Sequence, residues 1–350
     1  MDYISKAEFI PWERLKGKTF FITGSTGLIG YYFTNALIFK NINENYDIHI
    51  LVLARDLNKA KELYRKQLLQ EKCDLHFIAG SVEDKINIEE KIDYIVHAAA
   101  PTSSEYFLEK PVETMISLFC GTKTILELAK EKKVHSMVYL SSMEIYGAIH
   151  NREKLDEAHG SNLDTMSARS SYPEGKRACE TLCASYAKEY NVPVKVLRLV
   201  QTFGPGIPAN DQRVFAQFIE ALHHNKDIVL LTDGKSSRSY LYLADAVTAI
   251  FSSLLRGRDG ELYNAANEDT YCSIRELANF FVTEIAHNTI KVVIKLGCGQ
   301  TVDKFPPTHF IDLDTTKLRA LAWHAHVGIQ DMIARTMSAI ESERNEIHEI

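Results

Sequence analysis

Thr19-Phe-Phe-Ile-Thr23 runs directly into Gly24-Ser-Thr-Gly27-Leu-Ile-Gly30, and this junction decides the fold. An unbroken run of apolar and β-branched residues reads as a buried strand, and Tyr31–Phe39 reads as the helix that follows it. Strand, glycine turn and helix together are the setting that a dinucleotide fingerprint requires. The glycines permit the tight turn, let a pyrophosphate approach the backbone, and let the helix pack closely on the strand. The helix N-terminus then faces the phosphate charge. Gly24, Thr26, Gly27, Leu28, Ile29 and Gly30 are the candidate contacts. The spacing is G-x-x-G-x-x-G, one residue longer than the G-x-G-x-x-G form.

Further along the chain the same alternation recurs. His49–Ala54 is a second strand and ends at Arg55-Asp56. A carboxylate at that point favours NAD, while an arginine can pair with the extra phosphate of NADP. The chain offers both, so NAD and NADP both stay open. Residues 57–72 read as an exposed helix, and Leu75–Ala79 as a third strand ending at Gly80-Ser81-Val82. Ser81 and Val82 are expected beside the adenine. Asp93–Ala100 is a fourth strand, whose Ala98, Ala99 and Ala100 are small enough for a cofactor to lie against the backbone. Pro111–Lys132 is a long amphipathic helix, Val134–Ser142 a fifth strand, Tyr172–Tyr190 a helix and Val194–Leu199 a sixth strand. Strands alternating with helices imply an α/β fold with a Rossmann-type, doubly wound parallel sheet.

Residues 1–200 are read as the dinucleotide-binding domain, with 240–265 returning to it. Residues 201–350 are read mainly as a smaller α/β region for substrate. Within it, 201–208 and 233–240 read as loops, Val214–His223, Ala244–Leu255 and Ser273–Ala286 as helices, Ile228–Leu231 and Glu261–Ala265 as strands, and 313–340 as mostly helical.

The 350 residues are 45% hydrophobic and 25% charged, with net charge −6. No long basic run suits nucleic acid, no apolar run approaches a membrane span, and the charged N-terminus is not a signal peptide. A cytoplasmic enzyme is expected. The six cysteines lack a C-x-x-C pair, and Cys179 and Cys183 share one helical face. His223-His224 and His324-Ala-His326 lack partners at ligand spacing, so no metal site is expected.

Tyr172 and Lys176, in Arg169-Ser-Ser-Tyr-Pro-Glu-Gly-Lys-Arg177, stand four residues apart and share a helical face. Pro173 suits the first turn. Gly175 within the helix costs about 1 kcal/mol relative to alanine, which implies a close backbone approach by cofactor or substrate. A free phenol has a pKa of about 10, and lowering it toward 7 takes roughly 4 kcal/mol of preference for phenolate. A neighbouring ammonium and a nicotinamide ring would supply that. Alone, the pair also fits an aromatic beside a solvated lysine.

Five segments in order carry a resemblance. Ser142-Met-Glu-Ile-Tyr-Gly147, Arg169–Arg177, Gln201-Thr-Phe-Gly-Pro205, Asp211-Gln-Arg-Val214 and Ser237-Arg-Ser-Tyr-Leu-Tyr-Leu243 resemble motifs of the extended short-chain dehydrogenase/reductases that modify nucleotide sugars. The pattern is most similar to that of the UDP-glucuronate decarboxylases. The resemblance spans about residues 17–340 and implies a first step common to the family. The sugar 4-hydroxyl gives its proton to Tyr172 and its hydride to NAD, Ser142 bonds the same oxygen, and Lys176 holds the nicotinamide ribose and lowers the tyrosine pKa. It also implies substrate contacts from Gln201, Arg213 and Arg238, and Ser103 is grouped with them. The helices at 111–132 and 172–190 are expected to pair across a two-fold axis into a homodimer.

The resemblance divides over the second step. The related 4,6-dehydratases use an Asp-Glu pair where this chain has Met143-Glu144, and methionine donates no proton. Glu144 stays, as in the decarboxylases, so a UDP-hexuronate decarboxylase is the leading reading. The alternatives are a 4-epimerase, an NADP-dependent ketone reductase and a catalytically silent dinucleotide sensor. Leu118, Gln201, Ser81 and Arg55 depart from the family pattern and imply a divergent branch.

Overall fold

The computed structural model describes residues 1–101, 103–207, 211–296 and 308–348; Cys298 and Pro208 lie outside them. In chain order the strands are β1 Thr19–Thr23, β2 His49–Ala54, β3 Leu75–Ala79, β4 Tyr94–His97, β5 Ser136–Ser142, β6 Lys154–Leu155 and β7 Val194–Leu199. They continue as β8 Gln201–Phe203, β9 Ile228–Leu230, β10 Ser237–Tyr242, β11 Leu262–Ala265, β12 Asn267–Ser273, β13 Val292–Ile294 and β14 Phe310–Leu313. Seven of these form one parallel sheet in the order β11-β7-β5-β4-β1-β2-β3. The expected doubly wound α/β architecture is therefore present.

The central strands read as continuous apolar runs because helices cover both faces. On one face lie helices Leu28–Glu44 and Leu243–Arg256, where Phe33 and Phe251 stack at 4.5 Å. On the other lie helices Pro111–Lys132 and Ser171–Tyr190, over Phe21, Leu51, Ile95 and Tyr139. The strand order reverses between β1 and β4, and at such a switch point the crevice beyond the strand ends receives ligands.

A second, mixed sheet runs β12-β10-β14-β6, with β8 also on β10. Strand β10 corrects the reading of 233–240 as a loop. Its serines, arginine and tyrosines hide a central strand because both of its edges are paired and five of its six residues are buried. Residues 201–203 are likewise strand. The region 313–340 is only partly helical: β14 ends at Leu313, and helices cover Thr316–Arg319 and Ile329–His348. Helix 57–72 breaks at Tyr64, whose ring is buried and whose hydroxyl donates to the Ser25 carbonyl at 2.8 Å. Ser273 caps helix Ile274–Phe280 in a capping box with Glu276. Among the described residues no helix is long and apolar enough to cross a membrane.

Candidate active site

The glycine turn is built by backbone contact. Gly24 has φ 73°, and a Cβ there would lie 2.6 Å from the backbone of Ala98 and Ala99 at the end of β4. A Cβ on Gly30 would lie 2.2 Å from the Gly24 carbonyl oxygen. Gly27 precedes helix 28–44 as its N-cap, and no side chain caps that end. The first amide groups of this 17-residue helix are thus free to receive an anion. Thr26 and Gly27 are exposed, Leu28 and Ile29 half-buried, and Ala98, Ala99 and Ala100 half-buried opposite them. Ser25 Oγ is buried with no hydrogen-bond partner among the described residues. This cradle fits the pyrophosphate of a dinucleotide.

At the adenosine end, Arg55 is exposed, and the Asp56 carboxylate accepts from the Lys59 amide at 2.9 Å as the cap of helix Leu57–Leu63. The Ser81 amide donates to Asp84 at 2.9 Å. Val82 packs against Gly121, where an added Cβ would meet Val82 Cγ2 at 2.6 Å. The small residue of helix 111–132 therefore seats Val82.

Tyr172 and Lys176 lie on the buried face of helix 171–190. Burial raises the Tyr172 pKa first and the Glu144 carboxylate raises it further, while a hydrogen bond from Ser142 and the charge of Arg213 lower it. Phe107, from helix Ser104–Glu109, stacks on the Tyr172 ring at 4.4 Å and 6°. The Lys176 ammonium donates to the Leu140 carbonyl at 2.6 Å and lies 5.9 Å from the Tyr172 ring centroid. Burial lowers its pKa to about 8. The ammonium faces β5, and the groups that lower the Tyr172 pKa are Ser142 and Arg213.

The Gly175 expectation is also corrected. A Cβ there would meet Leu118 Cδ1 at 2.8 Å, so the glycine admits helix 111–132 rather than a ligand. One turn below Lys176, buried Glu180 accepts from Arg198 of β7 at 2.9 and 2.6 Å and from Ser141 at 2.5 Å. This pair fixes the helix against the sheet end that carries Ser142. Behind Lys176, His97 bridges Thr23 (2.7 Å) and Thr122 (3.2 Å), and burial holds its pKa near 3, so it is neutral.

Ser142 caps the 3₁₀ turn Met143–Tyr146, accepting from the Glu144 amide at 3.2 Å. Met143 is buried in the apolar core. Burial raises the Glu144 pKa, and the charges of Arg169 and Arg238 oppose that. Arg238 lies 3.1 Å from His309 Nε2, and its Nε is buried without a partner among the described residues. Arg213 is held by Asp211 at 2.5–3.0 Å and donates to the Thr202 carbonyl at 3.2 Å. Tyr172, Ser142, Glu144, Arg213 and Arg238 thus converge from both sheets. Gln201 lies half-buried on β8. Ser103 is exposed and accepts from the Tyr106 amide as the cap of helix 104–109, the helix that carries Phe107.

Sequence reading passed over Arg169, His309 and Phe107 as site residues. Arg169 precedes Tyr172 by three residues in a separate turn, a usable signal. His309 and Phe107 arrive only through tertiary packing.

A profile of the NAD dependent epimerase/dehydratase family matches residues 20–266. Human dTDP-D-glucose 4,6-dehydratase is 26% identical over 346 residues, covering 97% of this chain and 94% of that protein. UDP-glucuronic acid decarboxylase 3 of Arabidopsis thaliana is 29% identical over 313 residues, covering 89% and 85%. Among solved structures, a UDP-glucose 4-epimerase from Thermotoga maritima is similar with a TM-score of 0.76 at 21% identity, covering 93% of this chain and 99% of that one. An epimerase from Methanothermobacter thermautotrophicus gives 0.80 at 20%, covering 98% of each. The structural likenesses bear on the fold.

Proposed function

The chain belongs to the NAD dependent epimerase/dehydratase family, and from that membership we propose that it is a nucleotide-sugar decarboxylase acting on a UDP-linked hexuronate. It is an NAD-dependent enzyme of a family whose relatives include a dTDP-sugar dehydratase and UDP-sugar decarboxylases. The observation that carries the finer reading is the pairing of Met143 with Glu144. Methionine points into the apolar core, so the turn after Ser142 offers one acid–base carboxyl rather than two, and Arg169 and Arg238 flank it.

In this reading Tyr172 acts as a phenolate, the form that Ser142, Arg213 and the positive ring of a bound nicotinamide would favour against its burial. It takes the proton of the sugar 4-hydroxyl, Ser142 orients that oxygen, and Lys176 holds the cofactor ribose. Bound NAD would accept the C4 hydride and later return it. Arg238 pairs with the C6 carboxylate, a geometry suited to two parallel hydrogen bonds. The C4 ketone makes C6 the carboxyl of a β-keto acid. The C5–C6 bond breaks with its electron pair moving into the enolate, and carbon dioxide leaves. Glu144, raised by burial, delivers a proton to C5. The glycine cradle, with Gly24, Gly27 and Gly30, holds the pyrophosphate of the dinucleotide.

A second reading, an NADP-linked ketone reductase, is favoured by one observation: Arg55 is exposed at the end of β2 while Asp56 is engaged as a helix cap. One experiment separates the two. The purified protein is denatured, its released cofactor identified, and the intact protein given UDP-glucuronate, UDP-glucose and dTDP-glucose in turn. Released NAD and a UDP-pentose from UDP-glucuronate alone support the decarboxylase. A stoichiometric need for added NADPH overturns it.

We also propose a homodimer. Val112, Met115, Ile116 and Phe119 are all exposed and recur at i, i+3, i+4, i+7, one stripe of helix 111–132. A second copy of that helix is the occupant the family resemblance supplies.

A further inference from the structure

At the end of the large sheet opposite the glycine cradle lies a cluster that the proposed chemistry does not use. His49 opens β2, and Asp74 immediately precedes β3, the edge strand. The parallel register pairs Ile50 with Leu75 and Leu51 with His76. Side chains alternate between faces along a strand, so His49, Asp74 and His76 stand together on one face. Asp74 Oδ2 lies 2.9 Å from His49 Nδ1, and Asp74 Oδ1 lies 2.5 Å from His76 Nε2. The two imidazole centroids are 4.6 Å apart. One donor atom from each of the three lies within 4.8 Å of the others, and among the described residues no other trio of His, Cys, Asp or Glu comes so close.

We propose that His49, Asp74 and His76 bind a single divalent cation of the Zn²⁺ or Co²⁺ kind, which fastens the edge strand β3 to β2. Two imidazoles and one carboxylate suit borderline transition ions, whereas Mg²⁺ and Ca²⁺ prefer all-oxygen sets. Each neutral imidazole can present either ring nitrogen and keep its proton on the other, so both rings can ligate without losing a proton. The side chains are 31%, 40% and 55% exposed for His49, Asp74 and His76, which leaves the outer coordination positions to water. From His49 to Ala54 the strand advances about 17 Å, so the ion sits apart from the nucleotide end. It would tie the edge strand β3 to its neighbour β2 in the large sheet.

The test uses the full-length protein, free of any histidine tag and stripped with chelator. Titration with Co²⁺ is expected to give one equivalent with a visible ligand-field band that Zn²⁺ abolishes, and Zn²⁺ is expected to raise Tm. The His49→Ala/His76→Ala variant should lose the band and the Zn²⁺-dependent rise in Tm while keeping its far-UV circular dichroism and turnover. Equal Co²⁺ binding by wild type and variant, or an equal Zn²⁺ effect on Tm, overturns the proposal. Should the variant fail to fold, nitrogen-15 spectra of the wild-type histidine rings decide. Zn²⁺ must shift the ring nitrogens of His49 and His76, and shifts confined to other histidines contradict the site.

Discussion

Tyr172 and Lys176 are both held in their neutral-leaning states by burial, the phenol upward and the ammonium downward to about 8. For Tyr172→Phe, turnover should fall by about 10²–10⁴-fold while the dinucleotide stays bound; residual activity above a hundredth of wild type excludes Tyr172 as the acid–base group. Lys176 carries a stability signature as well. Its ordinary value is 10.5. Below pH 8 the lysine is charged in both states, and its burial disfavours the folded one. Between pH 8 and 10.5 the unfolded chain still binds the proton that the folded chain has released, so stability recovers as pH rises. Lys176→Met should therefore raise the unfolding free energy at pH 7 by up to about 3 kcal/mol, with the gain shrinking above pH 8 and turnover lost. Denaturant unfolding from pH 6 to 10.5 checks this; a variant less stable at pH 7 contradicts it. The Tyr172, Lys176 and Ser142 positions were legible because a four-residue helical spacing and a strand end are local features. Which charges shift Tyr172 was not legible, because Arg213 and Glu144 reach it from other elements.

Two glycines on helices separate backbone from side-chain constraint. At Gly30 the obstacle to a Cβ is the Gly24 carbonyl, whereas at Gly175 it is the far end of Leu118. Gly30→Ala should lose dinucleotide binding and about 1–3 kcal/mol of stability. Gly175→Ala should be close to neutral, because alanine gains about 1 kcal/mol in a helix interior and Leu118 can turn aside. Urea unfolding and cofactor titration of the two variants read the contrast; a larger loss at Gly175 contradicts it. The helices at 111–132 and 214–223 and four strands of the large sheet, β1, β2, β3 and β7, could be read to the residue from their apolar patterns. Strand β10 could not, since Ser237, Arg238 and Ser239 resemble a loop until both neighbouring strands pair with it. The break at Tyr64 was equally hidden, because it depends on a hydroxyl reaching the Ser25 carbonyl beneath the glycine turn.

At the scale of the whole molecule, the parallel sheet sets the nucleotide cradle at one end and the His49–Asp74–His76 cluster at the other. The sequence motifs announce the first, whereas the second exists only through strand register across some twenty-five residues of chain. The exposed stripe of helix 111–132 leads to a further expectation. Ile116→Glu/Phe119→Glu should sediment as a monomer where the wild type sediments as a dimer; a wild-type monomer at micromolar concentration contradicts the proposed pairing. The central claim concerns the second chemical step and is tested most directly by proton and carbon NMR of UDP-glucuronate turned over in D₂O. The account predicts a UDP-pentose with one deuterium at C5, carbon dioxide as co-product and no net consumption of cofactor. A product that keeps its C6 carboxylate, with the configuration at C4 inverted and no deuterium at C5, would contradict it.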